Sequence, residues 1–507
     1  MPDSPETENA EKKQKSFLEA FQEAADRKPS YPVLVFDGRY FSYRSIDQMS
    51  SSLAEFLSSK GCGSDSRVGI LLPMSPQYLI SVLGILKSGA VPVNMGSLRN
   101  SEYAALSDVQ KNDWIIIKSD SDIIPARGEK VITARIGDLM NFTRAMQTDG
   151  HQNNRPPGFV SRLIDIILDK PRGKETGGSG EEKIGFLSYD TSGSPFFPEF
   201  TGNELCARAS LALERISSKG SVFRNASCIP PASPEGFILS VAMPVLSSGY
   251  SIFPSNPDPG LKIFRLADTY NANFITVFQE IISRAERIEY HNSDRIRGLI
   301  FAGLGSNYGI FSDFATRNNF RMFYFFGPPE LMGITHLMEG SGESSGKLIP
   351  LVPGETELVD ESGNNMEINS GVGSMVIGDA HDAGMNRELG IRAKLNSEGS
   401  LEEIEIVRDI AVILGRHTSR YFIEKSTGRI PGVSEFVADF REVPPGIRRA
   451  VFYCVKEERR TDERKVISYL QGKLSSHNLP SEIVWKSDIP KSISGQVLRN
   501  LLVEKNS

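Results

Sequence analysis

The sequence predicts an α/β protein built mainly on parallel sheet. Three observations carry that prediction. Short apolar runs alternate along the chain with segments of helical period. Gly, Pro and polar clusters punctuate the alternation at intervals suited to β-α-β units. No repeat of fixed period is present, which excludes a solenoid or propeller.

The elements follow in order. Ser16–Ala25 places Phe17, Leu18, Phe21 and Ala24 on one face and reads as a helix. Val33–Phe36, the turn Asp37-Gly38 and Tyr40–Tyr43 read as a hairpin. Ser45–Lys60 repeats Ile46, Met49, Leu53, Phe56 and Leu57 with helical spacing. Val68–Leu72 is a short buried strand, Pro76–Ser88 a helix, and Val91–Asn94 and Trp114–Ile117 are further strands. His151–Gly158 and Asp169–Glu182 are rich in Gly, Pro and charge and flank a short helix at Phe159–Leu168. Residues 145–183 therefore read as a linker before the strand Ile184–Leu187. Gly236–Leu246 is too short to span a bilayer and reads as core. A second boundary falls at Gly415-Arg416, and the charged run Lys456–Lys465 beyond it reads as a solvated turn.

Composition excludes several classes. At about 150 residues per domain, 507 residues imply roughly three domains or large subdomains. A net charge of -6 argues against a nucleic-acid protein with a broadly basic surface. The four cysteines and six histidines are scattered without a CxxC or HxxxH pattern, which points to a reduced, cytoplasmic protein without a structural metal. Residues 1–15 are polar, with no apolar h-region, and read as a disordered lead. Neither a secretory signal nor a membrane span is expected.

After the strand Ile184–Leu187 comes Ser188-Tyr189-Asp190-Thr191-Ser192-Gly193-Ser194-Pro195. Small hydroxyl residues and Gly in such a turn supply donors to anionic oxygens and let the backbone approach them, although many such turns are only turns. In context the segment resembles the Thr-Ser-Gly phosphate loop of the adenylate-forming superfamily: acyl- and aryl-CoA synthetases, luciferase and nonribosomal adenylation domains. Thr201-Gly202-Asn203-Glu204-Leu205 then resembles the segment that opens the next helix. Pro230–Gly236 resembles the segment bordering the acyl pocket, and Phe274–Phe278 a core strand. Ala302-Gly303-Leu304-Gly305 resembles the turn beside adenine, and Phe326-Gly327-Pro328-Pro329-Glu330 the Tyr-Gly-x-Thr-Glu motif. Gly415-Arg416 resembles the Gly-Arg before the hinge, and Leu479–Arg499 the C-terminal lysine motif. The resemblance covers roughly residues 16–505.

What the resemblance implies is a large N-terminal domain, 16–415, made of two parallel-sheet α/β subdomains plus a small β-barrel-like region. A small, shortened α+β domain, 416–507, follows. It further implies nucleotide binding by Thr191, Ser192, Gly193, Ser194, Gly303, Gly327 and Arg416, an acyl pocket at Ser233, Gly236 and Phe326, and Mg²⁺ at Glu330. Gln496 stands where the family has its catalytic lysine, with Glu330 as the second reacting-centre candidate. ATP and Mg²⁺, and CoA or a carrier-protein phosphopantetheine, are the implied cofactors. A carboxylic acid, a carrier protein or a pathway enzyme are the implied partners.

The departures gather where anions meet. Pro195–Phe200 (PFFPEF) replaces a longer Gly- and Lys-containing loop: Pro has no N–H, Phe no donor, and Glu199 is expected to repel phosphate. Arg392-Ala393-Lys394 stands nearest the family's ribose-binding Asp, without the carboxylate. Gln496 carries no charge, and losing one such donor costs on the order of a hundred- to a thousandfold in rate. The surviving residues also admit structural readings: turn glycines, a helix cap for Glu330, an ion pair for Arg416, and surface or packing roles for His336 and His417. Two functions follow. One is a weak or inactive relative kept as a ligand-binding or scaffolding subunit of a biosynthetic pathway. The other is an active ATP-dependent carboxylic-acid ligase that passes its acyl group to CoA or a carrier thiol.

Overall fold

Helix Phe17–Arg27 opens at a reciprocal capping box. Ser16 Oγ accepts from Glu19 N, and the Glu19 carboxylate accepts from Ser16 N at 2.8 Å. The computed structural model that shows this describes residues 15–107, 109–140, 160–168, 181–256, 259–285, 290, 295–303, 308–340, 347–360, 362–366, 371–377, 388–398, 400–406, 410–443, 447–457, 462–491, 497 and 499–502. Residues 1–14 of the expected disordered lead, residues 458–461 of the charged run Lys456–Lys465, and Gln496 therefore lie outside the described residues.

Two sheets dominate. The first has seven strands in the order Glu199–Thr201, Lys183–Phe186, Val91–Asn94, Arg67–Leu71, Trp114–Lys118, Lys130–Ala134, Val160–Arg162. All its pairings are parallel except the first. The second has nine strands. Its six central ones (Met322–Phe326, Gly298–Ala302, Phe274–Thr276, Arg224–Ser227, Tyr250–Phe253 and Pro32–Phe36) run parallel, and antiparallel strands lie outside them. The strands are short and almost wholly buried, as parallel strands covered on both faces must be. Part of the expected linker is structured. Val160–Arg162 forms the edge of the seven-stranded sheet and Leu163–Leu168 is a helix with Leu163, Ile164, Ile166 and Ile167 buried.

Helices Tyr43–Ser59 and Pro76–Lys87 pack closely, and a Cβ on Gly84 would lie only 2.8 Å from the Leu53 side chain. Pro76–Lys87 is apolar nearly all round and nearly all buried, the sign of a helix covered on every side. The apolar run Gly236–Leu246 belongs to one buried helical rod, Pro234–Leu246, with a π-helical middle at Ile238–Ala242, so the core expectation holds.

A smaller antiparallel sheet follows: Thr356–Val359, Val372–Ile377, Glu388–Leu395 and Leu401–Ile406. Arg392 and Lys394 lie inside one of its strands. A hairpin, Ile410–Ile413 with Arg416–Ser419, leads to the C-terminal unit. There Val433–Val443 pairs antiparallel with Ile447–Lys456, which pairs parallel with Glu482–Lys486 after a crossover through helix Glu463–Lys473. The architecture is the expected one: two parallel-sheet subdomains, a small antiparallel region and a small α+β unit.

Candidate functional site

The Ser/Thr/Gly turn after the strand Lys183–Phe186 closes on itself. Ser188–Tyr189 and Pro195–Phe196 pair antiparallel, so 190–194 is the tip of a hairpin. Asp190 Oδ1 accepts from Ser192 N at 2.9 Å, from Ser194 N at 2.9 Å and from Ser192 Oγ at 2.7 Å. Gly193 N donates to Asp190 O at 3.0 Å, and Asp190 N to Ser194 O at 2.9 Å. An Asp side chain that hydrogen-bonds the backbone two residues on is an intrinsic turn former. Here it engages the backbone N–H groups of Ser192 and Ser194, which face the inside of the turn. Gly193 lies at φ +82°, which the turn requires and an L side chain resists. Thr191 and Ser192 are exposed, Ser194 half-buried and Gly193 buried.

The rest of the shortened loop is absorbed into sheet. Glu199 begins an edge strand and pairs with Arg67, its Oε1 2.9 Å from Nε and 2.7 Å from Nη2. The expectation that Glu199 repels phosphate is therefore corrected: its charge is turned to a cation at the sheet edge.

A second group of residues meets between the N-terminal and C-terminal units. Ser233, Arg416, His417, His477, Tyr189 and Gly96 line a cavity of about 40 Å³. Arg416 Nη1 donates to Ser97 O at 3.2 Å; burial pulls its guanidinium below the usual range, and Glu102 acts in the opposite sense. Gly96, at φ +69°, leaves room for it: a Cβ there would lie 3.4 Å from Arg416 Nη1. Ser233 caps the helix Pro234–Phe237, its Oγ accepting from Gly236 N at 3.2 Å. A Cβ on Gly236 would come within 2.0 Å of Pro230 O, so Gly236 serves this close approach. Neighbouring Glu235 is buried, with Oε1 3.0 Å from His417 Nε2. Burial pushes the Glu235 carboxyl up, but His417 and the surrounding hydrogen bonds outweigh that and hold it below its usual range.

The C-terminal unit is fastened here. Glu102 is fully buried, and its Oε1 accepts from Ser475 N at 3.1 Å, Ser475 Oγ at 2.9 Å and Asn478 Nδ2 at 2.6 Å. Its Oε2 accepts from Arg99 N at 2.7 Å. Burial raises the Glu102 carboxyl against the pull of these bonds. Ser101 Oγ donates to Lys473 O, Ser419 Oγ to Gly193 O at 2.5 Å, and the Tyr189 and Phe422 rings meet at 5.4 Å. Burial, then Arg416, drives the His477 imidazole well below its usual range. Buried Ser188 Oγ, Glu235 Oε2, Thr418 Oγ1 and Asn478 Oδ1 meet no hydrogen-bond partner, so the polar capacity of this cleft exceeds what its own residues satisfy.

The other expected residues lie apart from that cavity. Gly303, at φ +117°, faces Val412 of the hairpin, to which a Cβ would come within 3.5 Å. Gly327 underlies a tight return, where a Cβ would lie 2.6 Å from Thr335 N. Phe326 is core, 1 % exposed, with its ring against Tyr324 and His336. Glu330 sits half-buried in the 3₁₀ turn Pro329–Leu331. Met332 then takes φ +62° and no helix begins, so a helix-capping role for Glu330 does not hold. His336 and His417 are buried, which leaves the packing alternative and not the surface one for both. Asp190, Glu102, Glu235 and His477 were missed. The signal for Asp190 was present in Asp190-Thr191-Ser192-Gly193, an Asx-turn pattern. Nothing local marks the other three.

The AMP-binding enzyme family matches residues 21–116. One of the chains of the linear gramicidin synthase of Brevibacillus parabrevis is 22% identical over 98% of this chain, which spans only 6% of that protein. In solved structures, a double mutant of o-succinylbenzoate CoA synthetase from Bacillus subtilis superposes with a TM-score of 0.74 at 14% identity, covering 95% of this chain and 98% of its own. An amide bond synthetase from Marinactinospora thermotolerans gives 0.74 at 13% identity, with 96% and 99% coverage. No helix among the described residues is long and apolar enough to cross a membrane.

Proposed function

We propose that the chain is a diverged AMP-binding, acyl-CoA-synthetase-like member of the adenylate-forming superfamily, a reading supported by the family match over residues 21–116 and the near-full-length similarity to linear gramicidin synthase. In this reading ATP chemistry is slow or lost, and the protein serves a biosynthetic pathway as a ligand-binding or scaffolding subunit in the cytoplasm. The observation that carries the reading is Asp190, whose carboxylate holds Ser192 N, Ser194 N and Ser192 Oγ. A triphosphate at this turn has to displace that carboxylate and then lie beside it. Two unit charges about 4 Å apart repel by about 1 kcal/mol in water and about 4 kcal/mol near a protein surface. The described residues of the turn thus do not fit a phosphate as they stand.

The second reading is an active carboxylic-acid ligase using ATP and Mg²⁺, with Glu330 at the metal and CoA or a carrier-protein phosphopantetheine as acceptor. The gathering of Arg416, Ser233 and His417 at one cavity favours it, because a guanidinium beside polar donors suits an acid. Four buried thiols, Cys62, Cys206, Cys228 and Cys454, accord with the cytoplasmic location.

Purified protein mixed with ATP·Mg²⁺ and a panel of fatty and aromatic acids separates the readings through pyrophosphate release, with ATP and AMP titrated by calorimetry alongside. The first predicts no release and weak or absent nucleotide binding. Release with any acid overturns it, and absence of binding at millimolar ATP overturns the second.

A further inference from the structure

A larger cavity, of about 330 Å³, lies away from the interdomain cleft, between the edge of the nine-stranded sheet and the small antiparallel sheet. It shares no lining residue with the cleft, and none of Thr191, Ser192, Gly193, Ser194, Ser233, Gly236, Gly303, Phe326, Gly327, Glu330 or Arg416 lines it. Its size falls in the range of small-molecule pockets. Leu358, Met366, Met375, Leu395 and Leu401 make it apolar, and two methionines make its walls adaptable.

One polar group stands out. His336 lines the cavity, is 3 % exposed and takes Nδ1 to within 2.8 Å of Thr335 Oγ1. Thr335 Oγ1 also lies 3.2 Å from Phe326 O, which already accepts from Thr335 N at 2.9 Å, so its one hydrogen serves either that oxygen or Nδ1, and Nδ1 is engaged in both tautomers. Nε2 is the ring's remaining polar atom, and it meets no hydrogen-bond partner among the described residues. Burial, then Arg208, lowers the imidazole to about 4, which keeps the ring neutral. Glu357, bonded by Asn365 Nδ2 at 2.9 Å, also lines the cavity and disfavours anions.

We propose that this cavity binds a small, largely apolar, uncharged molecule of about bicyclic aromatic size, whose hydroxyl pairs with His336 Nε2. The apolar walls supply the affinity, and the buried, unpaired Nε2 selects a hydroxyl-bearing ligand, since leaving it unpaired forfeits a hydrogen bond. The proposal does not depend on whether ATP binds.

The probes are 2-naphthol and naphthalene, titrated into the intact protein by calorimetry and ligand-observed NMR. We expect saturable binding of 2-naphthol, about fivefold tighter than naphthalene, the size of one net hydrogen bond. His336→Phe should abolish that preference while leaving naphthalene bound. Asn365→Trp, on the exposed rim, should weaken both probes. Thermal unfolding of each variant checks that it is folded. The proposal is overturned if 2-naphthol does not saturate, if its preference survives His336→Phe in a folded variant, or if Asn365→Trp leaves both affinities unchanged.

Discussion

The interdomain cavity and the cavity beside His336 differ in the two properties that an adenylating site must combine. The first keeps positive charge in the Arg416 guanidinium, beside a His477 imidazole pushed well below its usual range, but its volume of about 40 Å³ holds only about two or three waters. The second has about 330 Å³ of room, but its only ring nitrogens belong to a histidine kept neutral. Room and charge have separated. A carboxylate and ATP are both anions and need space and positive charge at one place, and neither cavity combines the two as it stands.

Breaking the fastening of the cleft has the largest expected effect. Glu102→Ala leaves Ser475 and Asn478 without their buried acceptor and Arg416 without a nearby counter-charge. The expected loss is about 3–5 kcal/mol in urea unfolding, with faster proteolysis at the hairpin 410–419. A loss below about 1 kcal/mol would show that the two units hold together without it.

Acid acts on the other cavity. The His336 imidazole is lowered from 6.5 to about 4, so in this window the unfolded chain binds more protons than the folded one. Its contribution is fully present above pH 6.5 and is lost as the pH falls toward 4, to the extent of about 3 kcal/mol. The difference in unfolding free energy between wild type and His336→Phe should change by about that amount across the window. Parallel pH profiles would refute the assignment.

Asp190→Gly tests whether the turn is shut by its own carboxylate. The hairpin should lose about 1–2 kcal/mol, the scale of a lost side-chain cap. ATP binding should tighten severalfold as Ser192 N and Ser194 N become free; unchanged ATP binding with a folded protein would move the obstacle elsewhere. The smallest effect belongs to Ser419→Ala. That change removes the cap on Phe422 N, at 3.0 Å, and the bond to Gly193 O, and should lower the melting temperature by the equivalent of about 1 kcal/mol.

Much of the fold was legible because its signals are local. The spacing of Ile46, Leu53 and Leu57 specifies a helix within one window, and the core run Gly236–Leu246 was readable from its consecutive apolar residues, whereas the helix opening at Thr201 was read from the resemblance. The site was legible only by residue type. Arg416 and Ser233 do meet at one cavity, whereas Glu199, read as facing phosphate, turned instead to Arg67, 132 residues away. Sequence gives no partner for a lone carboxylate when the donor is so distant.

By itself the sequence determined the alternating elements, hence two parallel sheets, and the chemical poverty of Pro195–Phe200. Hydrophobic period and missing donors are properties of consecutive residues. Only the tertiary structure decided that Asp190 turns back onto its own loop, that Glu102 fastens a segment 373 residues away, and that His336 lines a cavity with an unpaired nitrogen. A hydrogen bond is satisfied by whichever group the packed chain brings within about 3 Å, and that choice is made in space rather than along the sequence.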